Sequence, residues 1–406
     1  MAEWDFDVAV VGGGMVGAAL ARALALEAFS VVLIEAVEPT LDWPIDSHDL
    51  RVSAITRASQ HLLQNLGVWQ SLVGDRVTAY QHMRVWDRAG FGEIHFDAAE
   101  VAEPDLGHII ENRVIVRALW RALEAAGAAL RTSTQVRDFD ATEVGVHLAL
   151  ADGSALRVGL LVGADGAKSQ VREMAGIASR SEPYDQHAVV ATVRAELGNR
   201  STAWQRFLRD GPLALLPMQR DLFSIVWSTT PDEAQQLCDM PEEKFNARLT
   251  EASEARLGAL SVLDARAAFP LRLQHAERYA APGLVLVGDA AHVIHPLAGQ
   301  GVNLGFLDAG ELVDALVEGR SRGRLPGATR TLRAYERSRK GHNTATQLAM
   351  DVFKHLFSND VTALSLIRNL GLGTAARLGP LRRAFEKVAL GEGLDLPTLS
   401  RRPRSG

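Results

Sequence analysis

Residues 6–17, FDVAVVGGGMVG, decide the fold. The first six residues form a short apolar run of the kind found in buried strands, and the glycines that follow end it. Residues 15–28 have helical character, and residues 30–35 (SVVLIE) predict a second buried strand. A strand, a glycine turn, a helix and a second strand in this order predict a βαβ unit with parallel strands.

The glycines of the turn match the pattern G-x-G-x-x-G in the strand-to-helix context that dinucleotide binding requires. Gly12 is expected to permit the tight turn, Gly14 to let a pyrophosphate approach the backbone, and Gly17 to let the helix lie close to the strand. The phosphates would meet free N–H groups at the helix N-terminus. Glu35, at the end of the second strand, is placed to accept hydrogen bonds from a ribose 2′-OH. The alternative is a tight packing turn that holds no ligand.

Two further turns follow predicted buried strands. Asp289, in the pair Gly288-Asp289, is placed to hold a chain of hydroxyl groups, and the glycines after it free the backbone to approach a flat ring. A helix predicted to begin near Gln300 would point its positive dipole end at whatever binds there. The alternative is an ordinary βα turn in which Asp289 caps the helix. Asp165-Gly166 is the other turn, and its alternative is a type I′ turn.

Length and composition restrict the class of protein. A chain of 406 residues with 47% hydrophobic content predicts two domains, or one large domain with a companion. The net charge of -6 gives no general attraction to nucleic acid, so no nucleic-acid partner is expected. The one cysteine, Cys238, excludes an internal disulfide and favours a reducing compartment.

No targeting or membrane-spanning segment is predicted. Acidic residues (Glu3, Asp5 and Asp7) stand where a signal peptide needs positive charge. No uninterrupted apolar run is long enough to span a bilayer. We therefore expect a cytoplasmic protein, with a peripheral position at the inner membrane surface as a further hypothesis.

The three turns, in this order and at these separations, resemble those of the aromatic-hydroxylase group of flavoprotein monooxygenases. Further strings resemble the ubiquinone-biosynthesis hydroxylases of that group: DLRVSAI (49–55), LGHIIEN (106–112), TAWQRF (202–207), HPLAGQGVNLG (295–305) and YERSR (335–339). These strings are spread over nearly the whole chain, and the one at 295–305 is quite specific. Residues 36–48 depart from the family pattern.

The resemblance implies the cofactors and the reaction. It implies that the first motif binds the ADP half of FAD and that Gly288-Asp289 binds the ribityl and riboflavin half. It also implies that Asp165-Gly166 contributes to both FAD and NAD(P)H interactions. NAD(P)H is then the electron donor, and one oxygen atom of O₂ is transferred to the aromatic ring of a polyprenyl phenol in ubiquinone biosynthesis.

The predicted cofactor-binding residues combine the motifs with the family resemblance. They are Gly12, Gly14, Gly17, Glu35, Arg51, Asn112, Asp165, Gly288, Asp289, Ala298, Gly299, Gln300, Gly301 and Asn303. Arg51 is expected to neutralise the pyrophosphate or contact the ribityl chain, and its alternative is a surface ion pair with Asp49. The alternative for Asn112 is a helix N-cap.

The histidines of the second motif are assigned to the flavin loop. His295 and Pro296 are predicted to shape the loop that faces the reactive edge of the ring, and they are the candidate catalytic residues. His292 and His295 are three positions apart, but they flank a glycine-rich loop, so no metal site is predicted. The sequence contains neither G-x-S-x-G nor H-E-x-x-H, and the flavin is therefore expected to supply the chemistry.

The predicted fold class is α/β: a Rossmann-like FAD-binding domain with an inserted β-rich substrate domain and C-terminal helices. The predicted segments are 1–75, 99–179 and 276–330 for the FAD-binding domain, 76–98 and 180–275 for the substrate domain, and 331–406 for the helical region. The candidates for the substrate pocket can equally be core residues, and they are Trp204, Phe207, Leu213, Leu215, Pro217 and Trp227.

The predicted function is hydroxylation of the polyprenyl phenol, and residues 202–207 with GPLALLPM (211–218) look closest to the hydroxylase acting at ring carbon 5. One alternative is an FAD monooxygenase of a small soluble aromatic compound. Another is a non-catalytic flavin-binding scaffold in a biosynthetic complex. Residues 366–388 are partly apolar and partly basic, which predicts either contact with a membrane surface or partner, or solvated helices with a loose tail from residue 391.

Overall fold

The structure is a computed structural model that describes residues 4–87, 93–293, 301–358 and 396–403. The predicted βαβ unit lies at the centre of its first sheet. Strand β1 (Phe6–Val11) leads into α1 (Met15–Leu26), and β2 (Val31–Glu35) pairs with β1 in parallel. Val8 and the two residues after it are fully buried, as expected for a strand covered on both faces.

The order of the parallel strands brings the three turn motifs to one edge of this sheet. Strand β11 (Ala155–Gly163) pairs with β1 so that Gly163 lies opposite Val11. Strand β19 (Leu284–Leu286) pairs with β11 on its other side, with Leu286 opposite Gly163. Because the three strands are parallel and in step, the turns that follow them emerge side by side. The remaining strands of this sheet are β8 (Ala129–Thr132), β9 (Val136–Thr142), β10 (Gly145–Leu150) and β18 (Ala280–Ala281).

The second sheet is mainly antiparallel. Its strands are β5 (His82–Asp87), β6 (Glu93–Asp97), β12 (Ser179–Ala195), β13 (Thr202–Phe207), β14 (Pro212–Pro217), β15 (Leu222–Thr229), β16 (Leu260–Val262), β17 (Ala267–Ala276) and β20 (His292–Val293). Their spatial order is β20, β17, β12, β15, β14, β13, β5 and β6, with β16 paired beside β12. Since β20 directly follows the Gly288-Asp289 turn, this motif is joined to the edge of the second sheet.

A small third sheet packs against the second. It contains β3 (Val52–Ile55), β7 (Gly107–Glu111) and β4 (Val77–Tyr80). Its buried side chains, including Tyr80 and Ile109, form one apolar cluster with Leu216 and Met218 of the second sheet region. The third sheet therefore joins the chain around Arg51 to the β-rich part of the molecule.

Helices cover the sheets. They are α2 (Arg57–Asn65), α3 (Trp69–Val73), α4 (Asn112–Ala125), α5 (Gln170–Met174), α6 (Pro231–Asp239), α7 (Glu242–Ala252), α8 (Gly301–Ser321) and α9 (Thr329–Ser358). Short 3-10 helices lie at Ala98–Val101, Gly288–Ala290 and Thr398–Ser400. In the described part of the chain, no helix combines the length and apolar character that a membrane span needs.

The end of the chain differs from the sequence-based prediction of a loose tail. Residues 396–403 are docked on α2 and α8: the amide of Asn65 donates to the carbonyl oxygens of Leu399 (2.8 Å) and Arg401 (3.1 Å). The N–H of Thr398 donates to the Asp314 carboxylate at 2.7 Å. The prediction is wrong for this segment because side chains distant in sequence, which local composition does not reveal, fix its backbone by hydrogen bonds. Residues 366–388 lie outside the described residues.

Candidate active site

The glycine turn after β1 is built by close backbone contacts. Gly12 has a φ of +104°, and a Cβ at this position would overlap the carbonyl oxygen of Ala164 at the end of β11. A Cβ at Gly17 would overlap the carbonyl oxygen of Gly12. The structural reasons predicted for these two glycines are therefore observed: a turn that L side chains rarely adopt, and a helix pressed against its strand.

Gly14 has a different environment, because a Cβ added there would have no atom within 4 Å. It faces a cavity of about 440 Å³. No side chain caps the N-terminus of α1, and no acidic residue lies in its first turn. The N–H groups at this helix end are thus left for an anion such as a diphosphate. The cavity brings together the Gly12–Gly14 turn, Glu35 and Asp165-Gly166.

Glu35 lies in the wall of this cavity. Its carboxylate accepts hydrogen bonds from the N–H of Gly13 at 2.5 Å and of Val37 at 3.0 Å. Trp120 of α4, which sequence reasoning missed, holds the same turn from the other side: its indole N–H donates to the carbonyl oxygen of Gly13 at 2.7 Å. A Cβ at Gly13 would overlap the Trp120 ring, so this middle glycine has a packing role.

Asp165 also lines the cavity, but its carboxylate is bound locally. It accepts hydrogen bonds from the Ser169 hydroxyl at 2.5 Å and from the N–H of Val171 at 3.0 Å, and so fixes the start of α5. The next residue, Gly166, has a φ of +80°, which explains why a glycine follows Asp165. The exposed Lys168, which sequence reasoning also missed, places a cation in the wall of the cavity.

The Gly288-Asp289 motif contacts the first motif directly. Gly288 has a φ of +59°, and a Cβ there would lie 3.3 Å from Cγ1 of Val16 in α1. A Cβ at Gly305 of α8 would lie 2.5 Å from Cγ2 of Val16 and 3.4 Å from Cα of Gly288. Small residues thus let α1, α8 and this turn meet around Val16, which brings the two motifs into one site.

A fully buried carboxylate on α8 fixes this second turn. Asp308 accepts hydrogen bonds from the N–H of Gly288 (3.0 Å) and from Nε2 of His292 (2.6 Å) through one oxygen. Its other oxygen accepts from Nε of Arg339 at 2.6 Å and from the amide of Asn343 at 3.3 Å. Burial alone would raise the pKa of Asp308, but His292 and Arg339 hold that pKa below its ordinary value. The turn is therefore supported from α8 and α9.

Sequence reasoning missed Asp308. A signal was nevertheless present: the charge interrupts an apolar stretch (Phe306, Leu307, Ala309) in a helix that had to be buried. A charged side chain in such a place needs a partner. What the sequence did not give is the identity of that partner, since Arg339 lies thirty-one positions further on.

Protein atoms surround the carboxyl group of Asp289 although solvent still reaches its side chain, so this residue lies in a water-accessible recess. Its side chain is solvent-exposed, yet the surrounding protein atoms raise the pKa of its carboxyl above the ordinary value, an effect that His292 and Arg51 partly offset. The guanidinium of Arg51 lies over the ring of Phe269 at 5.7 Å. The alternative ion pair with Asp49 is not observed among the described residues; instead the N–H of Arg51 donates to the Asp49 carboxylate at 3.1 Å. Arg51 thus faces the Asp289 recess.

The two predicted asparagines have structural partners. Asn112 is the first residue of α4, and its side-chain oxygen accepts a hydrogen bond from the Ser53 hydroxyl at 2.7 Å, so the N-cap alternative is not observed. Asn303 donates to the carbonyl oxygen of Ala54 at 2.8 Å and accepts from the N–H of Thr56 at 3.1 Å. Both amides therefore tie helices to β3 and the residue after it, and their contact with the cofactor stays a prediction.

Of the remaining predicted residues, the structure describes Gly301. It is the first residue of α8, and a Cβ there would meet no atom within 4 Å. His295, Pro296, Ala298, Gly299 and Gln300 lie outside the described residues.

Strand alternation shows which face the candidate substrate residues occupy. Trp204, Leu213, Leu215 and Trp227 belong to the apolar cluster formed with α6 and α7, which covers the outer face of the second sheet. The residues paired beside them, Gln205, Ala214 and Val226, lie on the opposite, inner face. Four of the six predicted pocket residues are therefore core residues of the outer face.

Comparison with known proteins agrees with these features. The family model described as "FAD binding domain" matches residues 5–350. The chain is 42% identical to the 3-demethoxyubiquinol 3-hydroxylase of Escherichia coli (strain K12), over 96% of this chain and 100% of that protein. It is 38% identical to the mitochondrial ubiquinone biosynthesis monooxygenase COQ6 of Mus musculus, over 96% of this chain and 91% of that protein.

The fold is shared with a solved monooxygenase structure. The p-nitrophenol 4-monooxygenase PnpA from Pseudomonas putida DLL-E4 superimposes with a TM-score of 0.77 at 20% identity, covering 96% of this chain and 99% of that one. FAD is thus the cofactor that fits the cavity, the free helix N-terminus and the paired glycine turns. The chain belongs to the ubiquinone-biosynthesis FAD-dependent hydroxylase family, within the aromatic-hydroxylase group of flavoprotein monooxygenases.

Proposed function

We propose that this protein hydroxylates the aromatic ring of a polyprenyl phenol intermediate in ubiquinone biosynthesis, using NAD(P)H and O₂. The observation that carries the proposal is the meeting of the three turn motifs at one sheet edge, in a chain 42% identical over its relative's full length. When bound, FAD supplies the redox chemistry and the activation of O₂. The protein supplies binding, orientation and exclusion of water.

The described residues divide the binding of FAD between two regions. The α1 N-terminus beside Gly14 would hold the diphosphate, and Glu35 would accept hydrogen bonds from the ribose. Lys168 adds positive charge on the same side of the cavity. Asp289 would bind the hydroxyl groups of the ribityl chain, with Arg51 as a neighbouring cation. We assign no contact to Asp165 beyond its position in the cavity wall.

The substrate would lie against the inner face of the second sheet, which we assign to the predicted substrate domain. Gln205 and Ala214 are side by side on this face, and the partly buried Val226 lies next to Ala214. The ring of Phe269, 38% exposed, lies under Arg51 and so reaches from this sheet towards the Asp289 recess. The small and apolar side chains of Ala214, Val226 and Phe269 suit an aromatic ring with a prenyl chain.

Two ring positions compete within this proposal. The strings at 202–207 and 211–218 favour ring carbon 5. The Escherichia coli relative is named for hydroxylation at position 3 of a demethoxyubiquinol. The prenyl chain of either substrate resides in lipid, so we further propose a peripheral position at the inner membrane surface and association with other enzymes of the biosynthesis.

Complementation with quinone profiling tests the proposal. The gene is expressed in bacterial strains that each lack one ring hydroxylase, and lipid extracts are analysed by mass spectrometry. We expect ubiquinone to reappear in one strain, and that strain identifies the ring position. A soluble yellow protein that restores ubiquinone in none of the strains would overturn the ubiquinone assignment while leaving FAD binding intact.

A variant separates catalysis from a scaffold role. Gly14→Val places a side chain in the open space beside the α1 N-terminus, so it should block the diphosphate while leaving the fold unchanged. We expect this variant to accumulate normally and to restore no ubiquinone. If the variant is purified without FAD and still restores ubiquinone to the wild-type level, the protein supports the pathway without using its flavin.

A further inference from the structure

A cluster of side chains that can bind metal lies away from the cofactor site, on strands β5 and β6 at the edge of the second sheet. These strands are antiparallel, with His82 opposite Asp97 and Arg84 opposite His95. All four side chains share one face, which also carries Trp86 and Trp204 of the outer apolar cluster. The cluster is therefore on the outer side of the sheet, facing away from Phe269.

The ligand atoms of three of these residues converge. One ligand atom from each of His82, His95 and Asp97 lies within 4.8 Å of the other two. Nδ1 of His82 is 3.6 Å from Oδ2 of Asp97, and in the described part of the chain this nitrogen, although buried, has no hydrogen-bond partner. Two ligands bound to one tetrahedral ion at about 2.0–2.1 Å lie about 3.3 Å apart, so this separation suits a shared ion better than a hydrogen bond.

The carboxylate is oriented by a second contact. Oδ1 of Asp97 accepts a hydrogen bond from the N–H of Ala99 at 2.9 Å, which leaves Oδ2 turned towards His82. Ligating carboxylates in metal sites are commonly fixed in this way. The rings of the two histidines are neighbours, with centroids 5.3 Å apart.

Arg84, a cation beside the cluster in the described part of the chain, has partners of its own. Arg84 pairs with Glu93 at 3.2 Å, and its guanidinium lies 5.4 Å from the ring centroid of Trp204. These contacts hold it along the strand, although its charge still opposes a bound cation. Removing that charge should therefore strengthen metal binding, a result that a purely structural role of Arg84 does not predict.

We propose that His82, His95 and Asp97 form a binding site for a divalent transition-metal ion of the Zn²⁺ class. Two imidazoles and a carboxylate are ligands that this class of ion accepts, and the remaining coordination position would hold water. The ion would link the side chains of β6, the edge strand, to those of β5. Its role is to fasten this edge of the sheet, separately from the reaction at the flavin. Strand pairing creates the site, which explains why sequence spacing predicted none.

Zinc binding by the FAD-loaded protein, without an affinity tag, tests the proposal. ZnCl₂ is titrated in competition with a chromophoric chelator, for the wild type and for His82→Ala, His95→Ala and His147→Ala. His147 is an exposed histidine on β10 and serves as the matched control. We expect one ion per chain, an affinity at least about 10-fold weaker in the first two variants, and no change in the control. Arg84→Gln should bind Zn²⁺ more tightly than the wild type.

The same samples give a stability readout. Zn²⁺ should raise the unfolding temperature of the wild type and of His147→Ala, but not of His95→Ala, because an ion that binds the folded state stabilises it. His95 is exposed, so its replacement by alanine is expected to leave the fold and the FAD spectrum unchanged. Absence of a tight site in the wild type would overturn the proposal, and so would equal Zn²⁺ affinity in all three histidine variants.

Discussion

The two halves of the proposed FAD site are built differently. On the proposed ADP side, the turn at Gly12–Gly14 and the Glu35 carboxylate belong to one βαβ unit, so near neighbours in sequence make the site. On the proposed flavin side, the turn at Gly288 depends on Asp308, which is held in turn by Arg339 of another helix. The first half can be recognised from a short motif. The second is stable only when distant helices have packed, so a substitution there should affect folding and FAD binding together.

The largest effect is expected at Asp308. Asp308→Asn keeps the shape of the side chain but removes its charge, which leaves the guanidinium of Arg339 buried without a counter-ion. Both side chains are at most 3% exposed, and breaking such a pair costs about 3–5 kcal/mol. We expect a loss of that size in the free energy of unfolding, measured by urea denaturation, together with loss of bound FAD during purification.

Glu318→Gln is the matched control on the same helix. Glu318 forms an exposed ion pair with Arg322, and such pairs contribute at most about 1 kcal/mol. The comparison between the halves fails if Asp308→Asn is as stable as this control and keeps its FAD.

The dependence of stability on pH in the acid range gives a second test of Asp308. The folded-state pKa of Asp308 is depressed, so its contribution is present at neutral pH and is lost as the pH falls below about 4. The wild type and Asp308→Asn should therefore converge in stability in that range.

The ADP half gives the next largest effect, through two neighbouring glycines. In Gly12→Ala, the new Cβ meets the Ala164 carbonyl at a φ of +104°, and strain of this kind costs about 1–3 kcal/mol. In Gly14→Ala, the new methyl group enters open space, so stability should be unchanged. We expect Gly14→Ala to weaken FAD binding by crowding the diphosphate, and Gly12→Ala to lower both stability and FAD content.

Urea denaturation and fluorescence titration with FAD separate these two outcomes. Gly12 would be reassigned to ligand contact if its alanine variant unfolded at the wild-type urea concentration. Gly14 would be reassigned to packing if its variant lost stability without losing FAD affinity. Either result would mean that Gly12 does not pack against Ala164, or that Gly14 does not face open space, in the folded protein.

The same contrast explains how much of the molecule could be predicted from sequence. Apolar runs and glycines are local signals, so the sequence predicts the βαβ unit, the α/β class and the turn motifs that follow β11 and β19. The supporting role of Asp308 could not, because the residue that pairs with it is fixed only by the packing of α8 on α9. Trp204 and Trp227 show a different limit. Alternation in a strand reveals two faces but not which one is covered by helices, and here α6 and α7 cover theirs.

The smallest effects are expected from the loss of a single hydrogen bond, one in each half. Tyr335 donates to the carbonyl oxygen of Leu286 at 2.9 Å, and Trp120 donates to that of Gly13 at 2.7 Å. Tyr335→Phe should lower the free energy of unfolding by about 0.5–1.5 kcal/mol, the usual contribution of one hydrogen bond. Its effect on FAD affinity should be small, because Leu286 is also held within β19 by pairing with β11.

Trp120→Phe should change FAD affinity more than Tyr335→Phe does. The indole both donates to Gly13 and fills the space beside it, so its loss loosens the turn that faces the cavity. Parallel titrations of the two variants with FAD measure the difference directly. If Tyr335→Phe lost more FAD affinity than Trp120→Phe, the expected order would be wrong. FAD binding would then depend more on the hydrogen bond to Leu286 than on the one to Gly13.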